Sequence, residues 1–98
     1  MSQIRVDNED NRWWISGELC FSTVDQLLVE FNQIVKDTPP KIIDLSEVTH
    51  TDSAGLALLI EWLKFDNLIN FDNIPIQLLS IAAVSGLQDL INSNGSSR

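Results

Sequence analysis

At the start of the chain Ile4 and Val6 alternate with polar neighbours, and Trp13 and Ile15 repeat the two-residue spacing. A period of two sends successive side chains to opposite faces of a strand. Two short strands are therefore predicted, separated by a polar turn over Asn8 to Asn11. The period then changes. Val24, Leu27, Leu28, Phe31, Ile34 and Val35 recur at steps of three and four, while Asp25, Gln26, Glu30, Asn32 and Gln33 occupy the other face. This spacing predicts an amphipathic helix, with Ser22 or Thr23 as its N-cap and Pro39-Pro40 as its end.

The apolar pair Ile42-Ile43, closed by Asp44, reads as a central strand buried on both faces, and Ser46 to Thr51 as a polar connection. From Ala54 the helical period returns through Leu56, Leu59, Ile60 and Leu63, then thins out over Asp66 to Asn73 ahead of Pro75. Ile76, Leu78 and Leu79 read as a further strand. A final helix is predicted from about Ala83 to Ile91, with a flexible tail over residues 92–98. The order ββαβαβα defines an α/β class with a partly parallel sheet. The second helix carries two apolar stripes, Leu56, Leu59, Ile60 and Leu63 on one and Leu58, Trp62, Phe65 and Ile69 on the other. A small domain seldom covers a helix all round, so the second stripe is expected to be partly exposed, with Trp62 as an anchor for a partner.

With 98 residues there is room for one domain, residues 1–98. Six basic residues against fourteen acidic ones give a net charge of −8. That balance excludes a phosphate-backbone partner and would repel an anionic lipid leaflet. The single cysteine, Cys20, forms no internal disulfide and fits a reducing compartment. Met1 to Asp10 does not read as a signal peptide, and the apolar run Leu56 to Ile60 is broken by Glu61 and Lys64. A soluble cytoplasmic protein without direct membrane insertion is expected.

The stretch richest in chemistry is Asp52-Ser53-Ala54-Gly55-Leu56, which opens a helix. Free backbone N–H groups and the dipole favour an acceptor or a negative charge there. Asp52 and Ser53 are both good caps, and Gly55 in the first turn leaves space for a close approach. For Ser53 three roles stand open: a helix cap, a contact in a partner interface, or a phosphorylated switch. His50 lies just upstream, but a Ser-His hydrolase also needs an orienting acid and an oxyanion hole, and Gly-x-Ser-x-Gly is absent. No metal-ligand spacing, P-loop or dinucleotide fingerprint occurs, so no cofactor or metal is expected.

Asp44-Leu45-Ser46 at a strand end, followed by Asp52-Ser53-Ala54-Gly55-Leu56 at a helix start, resembles the signature of the STAS family. Ser16-Gly17-Glu18-Leu19, read as a turn before the first helix, also matches the family pattern, and the likeness covers nearly the whole chain. The segment Gly55 to Leu63 is similar to the MlaB-like branch, a subunit of bacterial phospholipid ABC transporters. The resemblance implies a single STAS-like α/β domain with a mixed sheet and helices mainly on one face. It further implies a non-catalytic accessory subunit, peripheral to the inner membrane, that docks on the cytoplasmic ATPase of a system maintaining outer-membrane lipid asymmetry. Ser53 is then the family's switch position, and Asp52, Ala54, Gly55, Leu58 and Trp62 belong to the interface loop and helix. The alternative within the family is an anti-sigma-factor antagonist, in which a kinase-type anti-sigma factor phosphorylates Ser53. Weak homodimerisation through exposed helix surface remains open.

Overall fold

The computed structural model describes residues 2–35 and 39–92. Strand β1 (Gln3–Asp7) and strand β2 (Arg12–Leu19) form an antiparallel hairpin in which Ile4 faces Ile15 and Val6 faces Trp13. The predicted turn closes it, with Asn11 in the left-handed region at φ 54°, a conformation that asparagine tolerates better than most residues. Helix α1 (Val24–Ile34) follows, then strand β3 (Ile42–Thr51), helix α2 (Ser53–Phe65), strand β4 (Asn70–Asp72), helix α3 (Ile76–Val84) and the short helix α4 (Gln88–Asn92). The sheet order is β1-β2-β3-β4, with β2–β3 and β3–β4 parallel, so the sheet is mixed.

Five expectations are corrected. Helix α1 ends at Ile34, with Val35 already extended at ψ 129°, so it stops short of Pro39-Pro40. Ser46 to Thr51 is the second half of β3, and Glu47 to Thr51 pairs with Ser16 to Leu19; hence Ser16-Gly17-Glu18-Leu19 is strand and not turn. The register slips between Trp14 and Ser16 and again between Gly17 and Glu18. Each slip interrupts the two-residue alternation on which recognition of a strand depends.

The fourth strand is Asn70–Asp72, and Ile76, Leu78 and Leu79 belong to a helix. In β4 only Phe71 reaches the core, which is too little apolar signal to stand out. Pro75 has φ −58° and ψ 144° at the N-cap of α3, and proline near a helix start costs no hydrogen bond. The final helix is divided. Gly86, at φ 73°, receives the chain after Val84, with Leu87 N–H donating to Ala82 O and Gly86 N–H to Ala83 O, a Schellman closure that ends α3 before α4 begins. Of the tail expected over residues 92–98, Asn92 closes α4 and residues 93–98 lie outside the described residues.

All the helices that contribute to the core lie on one face of the sheet. Trp13, Ile15, Ile43, Leu45 and Phe71 meet Leu27, Phe31, Leu59, Trp62, Leu78 and Ile91 in one buried cluster. Phe31 sits at the aromatic centre. Its centroid lies 5.2 Å from Trp13, 5.0 Å from Trp62 in a stacked pair, and 5.5 Å edge-on from Phe65.

The opposite face carries charge. Trp14 and Asp44 are register partners, and Trp14 lies under both Arg5 and Arg12, 4.8 and 5.7 Å from the ring centroid. Arg12 donates to Asp44 at 2.6 Å and to Asp72 at 2.9 Å. Asp44 is only 4% exposed, so the first half of β3, Ile43 to Leu45, is buried on both faces, on this side by an ion pair. Burial pushes the Asp44 carboxyl up. Arg12, the Ser46 N–H and the Asn73 amide outweigh that and hold it at about 2.

Candidate functional site

The end of β2, the Cys20–Thr23 turn and the start of α2 are tied together by Asp52. Its Oδ1 accepts from Ala54 N–H at 2.9 Å and caps α2, while its Oδ2 accepts from Phe21 N–H at 3.2 Å. Asp52 N–H donates to Leu19 O at 3.3 Å. Thr23 Oγ1 accepts from Cys20 N–H at 3.0 Å and lies 2.9 Å from Glu18 O, holding the turn that launches α1. Asp52 is thus the cap, and Ser53 is corrected to the first helical residue. Ser53 is exposed, and no hydrogen bond to its hydroxyl is present among the described residues. His50 is exposed on β3, opposite Glu18, and no bond joins it to Ser53.

Gly55 is buried for a different reason than expected. The close approach comes from the chain itself: a Cβ at Gly55 would fall within contact distance of Thr51 Oγ1 and 2.6 Å from Leu19 O. Thr51 Oγ1 already donates to that carbonyl at 2.9 Å. Gly55→Ala is therefore expected to lower stability by about 2 kcal/mol, because a main-chain carbonyl cannot rotate away. This outweighs the roughly 1 kcal/mol gained in helix propensity. Thermal unfolding checks it; a variant as stable as the parent would contradict the packing.

The second stripe of α2 is corrected too. Leu58 is 3% exposed, Trp62 1% and Ile69 0%; of the four residues only Phe65 reaches solvent. Helices α1 and α3 flank α2 and close over the faces that the small size of the domain suggested would stay open. Trp62 is a core residue and not a surface anchor.

An accessible apolar surface lies between α1 and α2. Phe21, Val24, Asp25, Leu28, Ala54, Ala57, Leu58 and Glu61 line an open groove of about 280 Å³. A second depression of about 290 Å³, floored by Phe31 and Trp62, continues it towards Phe65. Phe21 is 82% exposed at the mouth, beside the start of α2. Asp25 and Glu61 give the groove an acidic rim. Of the expected site residues, Ala54 and Leu58 line the groove, and Asp52 and Ser53 directly precede Ala54 at the start of α2. Phe21, Leu28 and Ala57 were not expected. A phenylalanine in a turn of otherwise small and polar residues was the one available signal. Among the described residues no group of His, Cys, Asp and Glu is arranged to hold a metal ion, and no helix is long and apolar enough to cross a membrane.

A mixed four-stranded sheet with helices on one face and a capped Asp-Ser-x-Gly helix start defines an α/β STAS-like domain. The family model described as "Mlab, STAS domain" matches residues 3–92, and the chain belongs to that family. Among solved structures, a sulfate transporter family protein from Wolinella succinogenes superposes with a TM-score of 0.64 at 18% identity, covering 91% of this chain and 76% of that one. The anti-sigma factor antagonist SpoIIAA in its unphosphorylated form superposes at 0.57 with 15% identity, covering 83% of this chain and 80% of that one. At these identities the likeness is one of fold. No curated protein sequence matches.

Proposed function

We propose that the chain is a non-catalytic accessory subunit that docks, through the start of α2 and the α1–α2 groove, on the cytoplasmic ATPase of a phospholipid-transporting ABC system. Membership of the Mlab family supports the class of partner. The observation that carries the site is an apolar groove lined by Ala54, the residue after Ser53, with Phe21 82% exposed at its mouth. A large aromatic left in water next to small residues, Ala54 and Ala57, leaves room for an inserted side chain, the arrangement that concentrates binding energy in an interface. The acidic rim of Asp25 and Glu61 favours a basic border on the partner. Such a subunit serves the maintenance of outer-membrane lipid asymmetry by supporting assembly and activity of the ATPase, at the inner membrane but held there through its partner.

Tagged protein captured from its native cells, with bound proteins identified by mass spectrometry, tests this reading. An ABC ATPase recovered with its permease is the expected result. Ala57→Arg, at an exposed position in the groove, is expected to weaken that complex about 30-fold or more without loss of folding. Ser53→Asp is expected to do likewise by bringing charge into a packed contact. Unchanged recovery with both variants would overturn the site. Recovery of a kinase-type anti-sigma factor, with phosphate on Ser53, would replace the transporter reading with the regulatory one.

A further inference from the structure

Helix α3 has an outer face unlike the rest of the surface. No Asp, Glu, Lys, Arg or His occurs between Asp72 and Asp89, in a chain whose net charge is −8. On that helix Leu78 and Ala82 point into the core, and Ile76, Gln77, Ser80, Ala83 and Val84 point outwards. Ile76 is 79% exposed and Val84 90%. Ile76, Ser80 and Val84 follow one another at i, i+4 and i+8, so they lie along one side of the helix. The two aliphatic residues stand at the ends of this row, with small residues, Ser80 and Ala83, between them.

We propose that this face associates with the same face of a second copy of the chain, as a weak two-fold dimer. Two features select a second copy. Two molecules of net charge −8 repel wherever their carboxylates meet, and a charge-free helix is where they can touch without that cost. The row is also self-complementary. An antiparallel pairing about a two-fold axis at Ser80 places Ile76 of each copy against Val84 of the other, as an isologous contact requires. The small central residues allow the helices to approach closely.

Nine residues of helix are about 13 Å long, so the contact falls below the roughly 1,200 Å² of stable interfaces. The dimer is therefore transient, with dissociation in the micromolar to millimolar range. The face is built on α3 and the proposed docking groove on α1 and α2, so self-association does not occlude the groove.

Sedimentation of the isolated chain between about 10 μM and 1 mM, at low and high sodium chloride, tests the proposal. The average mass should climb from 11.0 kDa towards twice that value, and climb further in high salt, where repulsion is screened beyond about 3–10 Å. Val84→Lys and Ile76→Lys, both at exposed positions, should each leave a folded monomer. The double substitution Ile76→Lys with Val84→Glu should restore the dimer at low salt, because the two-fold register sets each introduced lysine beside an introduced glutamate. Ala57→Arg should dimerise like the parent, which keeps this result separate from any failure of the docking site. A monomer throughout, or self-association that survives Val84→Lys, would overturn the proposal. Failure of the double substitution to restore the dimer would overturn the register.

Discussion

Trp62→Ala is expected to cost about 3–5 kcal/mol of folding stability, the range for emptying a large aromatic site in a packed core. Trp62 is 1% exposed and stacks on Phe31 at 5.0 Å, and Phe31 in turn packs on Trp13. Removing the indole therefore opens a cavity under the helix layer and strips the central ring of one neighbour. A domain of this size has only about 5–15 kcal/mol in total, so much of the population would unfold on modest warming. Urea unfolding followed by far-ultraviolet circular dichroism measures the loss. Trp62→Phe should retain most of the stability, since the indole N–H makes no hydrogen bond among the described residues. Phe65→Ala, at a residue 52% exposed, should cost about 1 kcal/mol or less. If Trp62 were instead a surface anchor, Trp62→Ala would weaken partner binding and leave unfolding unchanged.

The second large effect is on the other face of the sheet. Arg12→Ala is expected to cost about 3 kcal/mol, the lower end of the range for removing one partner of a buried ion pair. Asp44, 4% exposed, would keep its charge with only Ser46 and Asn73 to hold it. The value falls at the lower end because the Arg12 side chain retains 24% of its surface in water.

The same pair gives the protein an acid limit. With its carboxyl held at about 2 in the folded state against an ordinary 3.8, Asp44 is a stronger acid folded than unfolded. Its contribution of about 2 kcal/mol is thus fully present above pH ~4 and is lost as the pH falls through ~2. Unfolding measured from pH 6 to pH 2 should show this loss in the parent. It should be much reduced in Asp44→Asn, which has no carboxyl to titrate. An equal acid slope in both would assign the sensitivity to other carboxylates.

Asp44 also shows how one residue type can serve two readings. In the amino-acid pattern it ends an apolar run and belongs to a family signature. In the folded chain its work is to neutralise Arg12 and tie β2, β3 and the Asn73 turn together. The groove has a similar history. Asp52, Ser53 and Ala54 were evident from the chemistry of a helix start, which depends on neighbours in the chain. Phe21, Leu28 and Ala57 come from three separate segments, and only the packing of α1 beside α2 makes them one surface.

Alternation and helical spacing along the chain determined the α/β class, the β1–β2 hairpin, the two long helices and the capped start of α2. Each rests on interactions within a few residues, which a linear pattern records. The tertiary structure alone decided the rest. Ser46 to Thr51 became strand because β2 offered hydrogen bonds to a bulged, polar segment, and Asn70–Asp72 did so because the edge of β3 was free. Ile76 to Leu79 coiled into helix because Leu78 and Ala82 found one core while Pro75 began the turn. Trp62 went inside because α1 and α3 closed over α2. In every such case the deciding partner lies far away in the chain, and no local period can carry its signal.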